Sequence, residues 1–141
     1  MTAKYLVVDA NILIRAVLGV RVAELIGRYG EDVSFCAPDL AFDQAADHLP
    51  EIAARKGLDE VAVLEALDSW RPAIDTMPVE DLEPLRGRAL KRIGRRDPSD
   101  WPFVAAALAL DCPIWTEDKD FFGVGVATWT SDRVEIYLRG E

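Results

Sequence analysis

"KYLVVDANILI", residues 4–14, holds the reading on which the fold turns. Four apolar or aromatic residues in succession have the character of a strand buried on both faces of a sheet. The run then meets Asp9 and Asn11 before turning apolar again at Ile12, Leu13 and Ile14. A carboxylate at the end of a buried strand is costly unless it is capped, paired or used. The question is whether other parts of the chain converge on it.

Moving outward, a second short apolar run, VSFCA at 33–37, reads as a strand. Between the two, helical spacing predicts segments over 11–18 and 20–29, the first stopped by Gly19. Pro38 is expected to open a helix to about residue 55, kinked or interrupted at Pro50. Asp59 can cap a helix over 60–71, and another is expected over 81–93. A helix from about Asp100 to Leu110 precedes a strand at 113–116 ("PIWT"), a turn of helix at 117–121, a strand at 126–129 and a terminal helix at 131–138. Short apolar strands alternating with helices indicate an α/β fold with a mainly parallel sheet. In such sheets ligands bind beyond the carboxyl ends of the strands, which is where Asp9 stands.

Bulk properties narrow the classes. The chain of 141 residues, half of them hydrophobic, suits a single domain over 1–141 with a sizeable core. No apolar run approaches the ~20 residues of a membrane span, and the N-terminal stretch reads as a strand rather than a signal peptide. Cys36 and Cys112 fit neither metal nor redox spacing and are expected to be reduced, buried thiols of a cytoplasmic protein. The net charge of −9 is unevenly spread: Arg86–Arg96 ("RGRALKRIGRR") holds six basic residues and no acid, leaving −15 for the rest.

Other acids join Asp9. "PIWTEDKDFFG" presents Asp118 and Asp120 after a strand, and "RRDPSDWPFVAAALALD" puts Asp97 and Asp100 at the start of a helix. Pro102 belongs in that helix's first turn, making Ser99 the expected N-cap and Asp100 the first helical residue. Phe103, Val104 and Ala107 follow Asp100 at helical spacing, so its carboxylate shares the inward stripe. Asp39, Asp43 and Asp47 recur every four residues, and Asp43 is the one expected to face the same cleft. Each could alone be a cap or a solvated turn residue. Together they suggest a site that needs a divalent cation, and oxygen donors without Cys and nearly without His select Mg²⁺ or Mn²⁺. The reaction implied is metal-assisted phosphodiester hydrolysis.

Taken together, "VVDANILI", the mid-chain acidic helix and "RDPSDWPFVAAALALDCPIWTEDKDF" resemble the PIN-domain nucleases, specifically the VapC-like toxins of prokaryotic toxin–antitoxin pairs. The resemblance spans nearly the whole chain. It implies a Rossmann-like three-layer α/β/α sandwich, a Mg²⁺ or Mn²⁺ site, endoribonuclease activity on single-stranded RNA, a homodimer and an antitoxin partner. On that resemblance Asp9, Asp43, Asp100 and Asp118 are the catalytic acids, with Asp9, Asp100 and Asp118 holding metal. Asn11, Asp97, Thr116 and Asp120 would support them. The family's second acid is usually Glu, and the matching position here holds Asp43, one methylene shorter.

The basic segment adds a separate expectation. Arg88, Lys91, Arg92 and Arg95 form a stripe beside the apolar Leu82, Leu85, Ala89, Leu90 and Ile93, placed to collect the RNA backbone. Part of it could instead receive an acidic antitoxin segment. Of the four tryptophans, Trp115 and Trp129 fall in core strands and only Trp101 adjoins the acids; His48 reads as a surface or packing residue. The lone histidine excludes Ser–His triad chemistry.

Three other readings remain open. Phosphoaspartyl phosphohydrolases also begin with an Asp after the first strand, but with a second Asp where Asn11 stands. Receiver domains need a Lys after a late strand, and Lys119 lies within the acidic loop instead. A catalytically weak PIN-like module that binds RNA or protein is the third, and the short Asp43 side chain is its support.

Overall fold

The computed structural model describes residues 4–140. Its centre is a five-stranded, fully parallel sheet of order β3-β2-β1-β4-β5. The strands are β1 (Lys4–Val8), β2 (Val33–Pro38), β3 (Asp75–Met77), β4 (Ile114–Trp115) and β5 (Thr128–Trp129). Among the described residues eight α-helices accompany them: α1 (Ala10–Leu18), α2 (Arg21–Tyr29), α3 (Leu40–Lys56), α4 (Glu60–Ser69), α5 (Val79–Leu82), α6 (Arg86–Ile93), α7 (Trp101–Leu110) and, after β5, α8 (Val134–Leu138). Helices α1–α4 pack on one another, while α7 packs against α5, α6, β1 and β2. This is the expected Rossmann-like α/β/α sandwich.

Burial explains why β1 sits in the middle. Leu6, Val7 and Val8 are wholly buried, and β1 pairs with β2 on one side (Val7 opposite Cys36) and β4 on the other (Val7 opposite Ile114). A strand bonded on both edges and covered on both faces must be a continuous apolar run. The chain leaves β1 toward β2 and β3, then returns past β1 to lay down β4 and β5. The topological switch therefore falls between β1 and β4, where open parallel sheets form a crevice at their carboxyl ends.

Several elements differ from the sequence-based expectation. Helix α3 begins at Leu40 because Pro38 ends β2 as its last residue. It then continues through Pro50 to a left-handed Gly57 cap, whose N–H donates to the Ala53 and Ala54 carbonyls. The helix expected over 81–93 is three pieces: α5, a 3₁₀ turn at Glu83–Leu85, and α6. Pro84 has no N–H to continue α5, so the chain tightens and restarts. Strand β3 was not expected at all; Asp75 and Thr76 are exposed, so this edge strand carries no apolar signature. Asp59 does cap α4, accepting from Ala62 N–H at 3.0 Å. The reading of the N-terminus against a signal peptide involves residues 1–3, which lie outside those described; among the described residues no helix is long and apolar enough to cross a membrane.

Candidate active site

The switch-point crevice is acidic. Asp9, Asn11, Asp97, Asp100 and Asp118 line one cleft, together with Gln44, His48, Ser99, Phe103 and Phe121. Each acid arrives for a local reason. Asp9 is the N-cap of α1: its Oδ1 accepts the Ile12 N–H at 2.9 Å, and the Asn11 N–H also favours its charged form. The other oxygen, Oδ2, accepts the hydroxyl of Thr116 just past β4. That hydroxyl in turn accepts the Asp118 N–H at 2.9 Å, and Asp118 Oδ1 accepts the Asp120 N–H at 2.9 Å. Two strand ends are thus joined by a chain of hydrogen bonds running from Asp120 to Asp9.

Asp97 and Asp100 come from the other layer. Asp97 caps a 3₁₀ turn at Pro98–Asp100, accepting from both the N–H and the hydroxyl of Ser99. Ser99 is therefore the donor, not the expected N-cap. Asp100 stands at the junction with α7, where no side-chain cap bond holds it, and shares the cleft with Phe103 one turn on.

Electrostatics shows that the acids sense one another. Asp9 is only 3 % exposed, and burial pushes its carboxyl up to about 6, against the hydrogen bonds from Thr116 and Ile12; the nearby Asp118 charge adds to the rise. Asp100 is raised to about 7, chiefly by burial, then by Asp97, Asp118 and Asp9. Like charges gathered in a partly dry cleft favour any cation that neutralises them.

Among the described residues no three acidic, imidazole or thiol side chains stand close enough to form a complete metal cage. An open cleft with one or two carboxylates and room for water is nonetheless the arrangement Mg²⁺ favours. The donor chemistry fits that ion: Asp9, Asp100 and Asp118 offer only hard oxygens.

Asp43 does not join them. It is exposed, as are Asp39 and Asp47, and none lines the cleft. At about 100° per residue, Asp43 lies some 200° around α3 from Ala45, which is wholly buried. Gln44 and His48 flank the buried stripe instead and reach the cleft. A helical wheel drawn from the apolar positions Ala41, Ala45, Leu49 and Ala53 was the signal that could have found them. Trp101 is buried under the Arg86 guanidinium and is not a cleft residue.

The basic stripe of α6 is only partly free. Arg92 donates to the carbonyls of Val124 and Gly125 at 3.4 and 3.2 Å, and the adjoining Arg96 donates to those of Asp120 and Phe122. These two cations clamp the loop after Asp118. Arg88 and Arg92 border a depression that shares no lining residue with the cleft; Lys91 and Arg95 are exposed.

Comparison with known proteins gives the family and the fold. A family model described as "PIN domain" matches residues 7–139. The chain belongs to the PIN-domain family. Its fold is shared with PAE2754 from Pyrobaculum aerophilum (TM-score 0.72, 17 % identity, covering 99 % of this chain and 91 % of that one). It is shared too with a structure of VapBC2 from Rickettsia felis bound to a DNA fragment from their promoter (TM-score 0.64, 10 % identity, 89 % and 98 % covered). FitAcB from Neisseria gonorrhoeae is a third (TM-score 0.51, 18 % identity, 89 % and 97 % covered). At such identities the likeness is one of fold. No curated protein matches the chain significantly in sequence. In this PIN domain, Asp9 after β1 and Asp118 after β4 flank the switch point, and Asp100, just before α7, lines the same cleft.

Proposed function

We propose that this PIN-domain chain is a Mg²⁺- or Mn²⁺-dependent endoribonuclease, one nuclease domain over 1–141, acting in the cytoplasm as the toxin of a toxin–antitoxin pair. One observation carries the reading: carboxylates from two strand ends and one helix start share a cleft in which burial, and after it the neighbouring acids, raise the proton affinity of Asp9 and Asp100. The family match supports a nuclease, and neighbours named VapBC2 and FitAcB support an antitoxin partner. A homodimer follows from the resemblance.

The cation would be held by one or two of Asp9, Asp100 and Asp118, with water filling the rest of its shell. Such an ion, when bound, lowers the pKa of coordinated water and offsets charge on a phosphoryl oxygen. The protein's own residues do the positioning. Ile12 N–H and Thr116 Oγ1 fix both oxygens of Asp9, so its carboxylate cannot rotate away from the cleft. Thr116 also fixes the backbone that presents Asp118. Phe103 and Phe121 wall the cleft with apolar surface, which strengthens electrostatic interactions within it. Asp97 and Asp120 support neighbouring acids, Asn11 offers an amide at the cleft edge, and Arg88, Lys91 and Arg95 contribute a positive field near the RNA backbone.

Gln44, standing in the cleft where an acid would add charge, favours a second reading: a catalytically weak PIN module that binds RNA or protein. Calorimetric titration with Mn²⁺ separates the two. Binding near one ion per chain, lost in Asp9→Asn, supports the hydrolase. No Mn²⁺ binding up to millimolar concentration would leave only the binding module.

A further inference from the structure

The acidic cleft does not end at Asp118. Asn11 and Asp118 also line an adjoining depression floored by Ile14 and Ile52. Those two residues, with Arg15, continue into a third hollow that reaches Arg55 and Lys56. The three form one groove because two helical stripes face each other. On α1 the stripe is Asn11, Ile14, Arg15 and Leu18; on α3 it is Gln44, His48, Ile52 and Arg55, positions three or four apart on one side of each helix. Helices α1 and α3 pack together. From His48 to Lys56 the groove runs about 12 Å at ~1.5 Å per residue.

Charge changes sign along it. The end at Asp9 is acidic; the far hollow is lined by Arg15, Arg21, Arg55 and Lys56 and by no carboxylate. Arg21 is committed to Glu135 at 3.3 Å. The side chains of Arg15, Arg55 and Lys56 are exposed and make no hydrogen bond or ion pair with any described residue. Midway, Glu117 and Lys119 both line the depression, and the Glu117 carboxylate accepts the Ser131 N–H at 3.0 Å. Three unpaired cations in a chain of net charge −9 call for an anionic ligand.

We propose that the α1–α3 groove carries single-stranded RNA out of the acidic cleft, with Arg15, Arg55 and Lys56 holding its phosphates. This rests on the ribonuclease reading of the cleft. A strand whose phosphodiester lies on the carboxylates must continue in some direction, and this groove is continuous with them. Sugar and base faces rest on Ile14 and Ile52. The walls are helices whose backbone groups are already bonded, so an extended peptide would find no strand edge to pair with.

The test uses the full chain and a fluorescein-labelled, mixed-sequence 12-nucleotide RNA, with anisotropy read in EDTA from 20 to 200 mM salt. The triple variant Arg15→Gln/Arg55→Gln/Lys56→Gln should bind more than tenfold more weakly at 50 mM salt. Its slope of log K against log salt should flatten by about 2, from three contacts at ~0.7 each. Lys56→Gln alone should lose about threefold. Urea unfolding confirms that each variant is folded. Wild-type affinity and slope in the folded triple variant would overturn the proposal. So would a wild-type chain that binds no RNA, or a triple variant that keeps RNA but loses a leucine- and glutamate-rich 12-residue peptide. Cleavage with Mn²⁺ separates this from the reading beneath it. Groove-dependent binding without cleavage by wild type leaves the groove and removes the ribonuclease; cleavage with wild-type kcat/KM in the triple variant does the reverse.

Discussion

Replacing Asp9 by Asn should stabilise the metal-free protein while removing its activity. The native carboxyl is raised from 3.8 to about 6, mainly by burial. An acid whose folded pKa lies above its unfolded value holds its proton more tightly in the native state. Its contribution to stability is therefore full below about pH 4 and is lost as pH climbs through about 6. At ~1.4 kcal/mol per pH unit, ionising Asp9 at pH 8 costs the metal-free fold roughly 3 kcal/mol. Asparagine resembles the protonated acid: its amide oxygen can still accept from Ile12 N–H, and its NH₂ can donate to Thr116 Oγ1. Asp9→Asn should thus be near neutral at pH 3.5 and more stable than wild type by about 1–3 kcal/mol at pH 8, the lower end allowing for imperfect replacement of the bonds. For a chain of this size that is on the order of 3–10 °C in Tm. The assay is urea unfolding in EDTA at both pH values, followed by tryptophan fluorescence. Saturating Mn²⁺ at pH 8 should then favour wild type over the variant. An Asp9→Asn protein that is less stable than wild type at pH 8, or equally shifted at both pH values, would refute the idea that burial of an unneutralised charge loads this site.

Three further outcomes follow from the same geometry. Thr116→Val removes the donor to Asp9 and the acceptor for Asp118 N–H, and should lower kcat/KM for RNA about 10–100-fold, as loss of a ligand-orienting partner does; unchanged activity would show the two acids to be held by something else. Gln44→Glu adds a carboxylate to the cleft and should tighten Mn²⁺ binding on the order of tenfold by calorimetry; unchanged affinity would place position 44 outside the metal's reach. Trp115 is wholly buried with its Nε1–H on Ser131 Oγ at 3.0 Å, so Trp115→Ala should cost about 3–5 kcal/mol in urea unfolding, against under 1.5 for Ser131→Ala.

What could be read in the sequence follows from how strongly each residue is constrained. Strand β1 and the acids at both strand ends were legible because a doubly buried strand must be apolar, and a charge at its end stands out. Asp59 announced its cap in the same way. Strand β3 was invisible since its pairing with β2 is made by backbone and its side chains are exposed. The break at Pro84 was missed because Ala89 and Ile93 keep helical spacing with Leu82 and Leu85, so the apolar stripe reads as continuous across two helices. Asp43 misled for a related reason. Four-residue spacing puts Asp39, Asp43 and Asp47 on one side of α3, but only the apolar stripe says which side faces the cleft, and it brings Gln44 and His48 there. The basic run on α6 was legible as charge, yet Arg92's bonds to the loop carbonyls depend on a fold that sequence proximity does not reveal.

The proposed reaction is cleavage of RNA in this acidic cleft with a divalent cation. Incubating a panel of structured RNAs with wild type and Asp100→Asn, each in EDTA, Mg²⁺ and Mn²⁺, tests it most directly. Internal cuts in single-stranded regions are expected for wild type with Mn²⁺ or Mg²⁺, with none in EDTA and at least a hundredfold loss in Asp100→Asn. Cleavage that persists in EDTA or in Asp100→Asn, or no cleavage of any RNA by wild type with either metal, would contradict it.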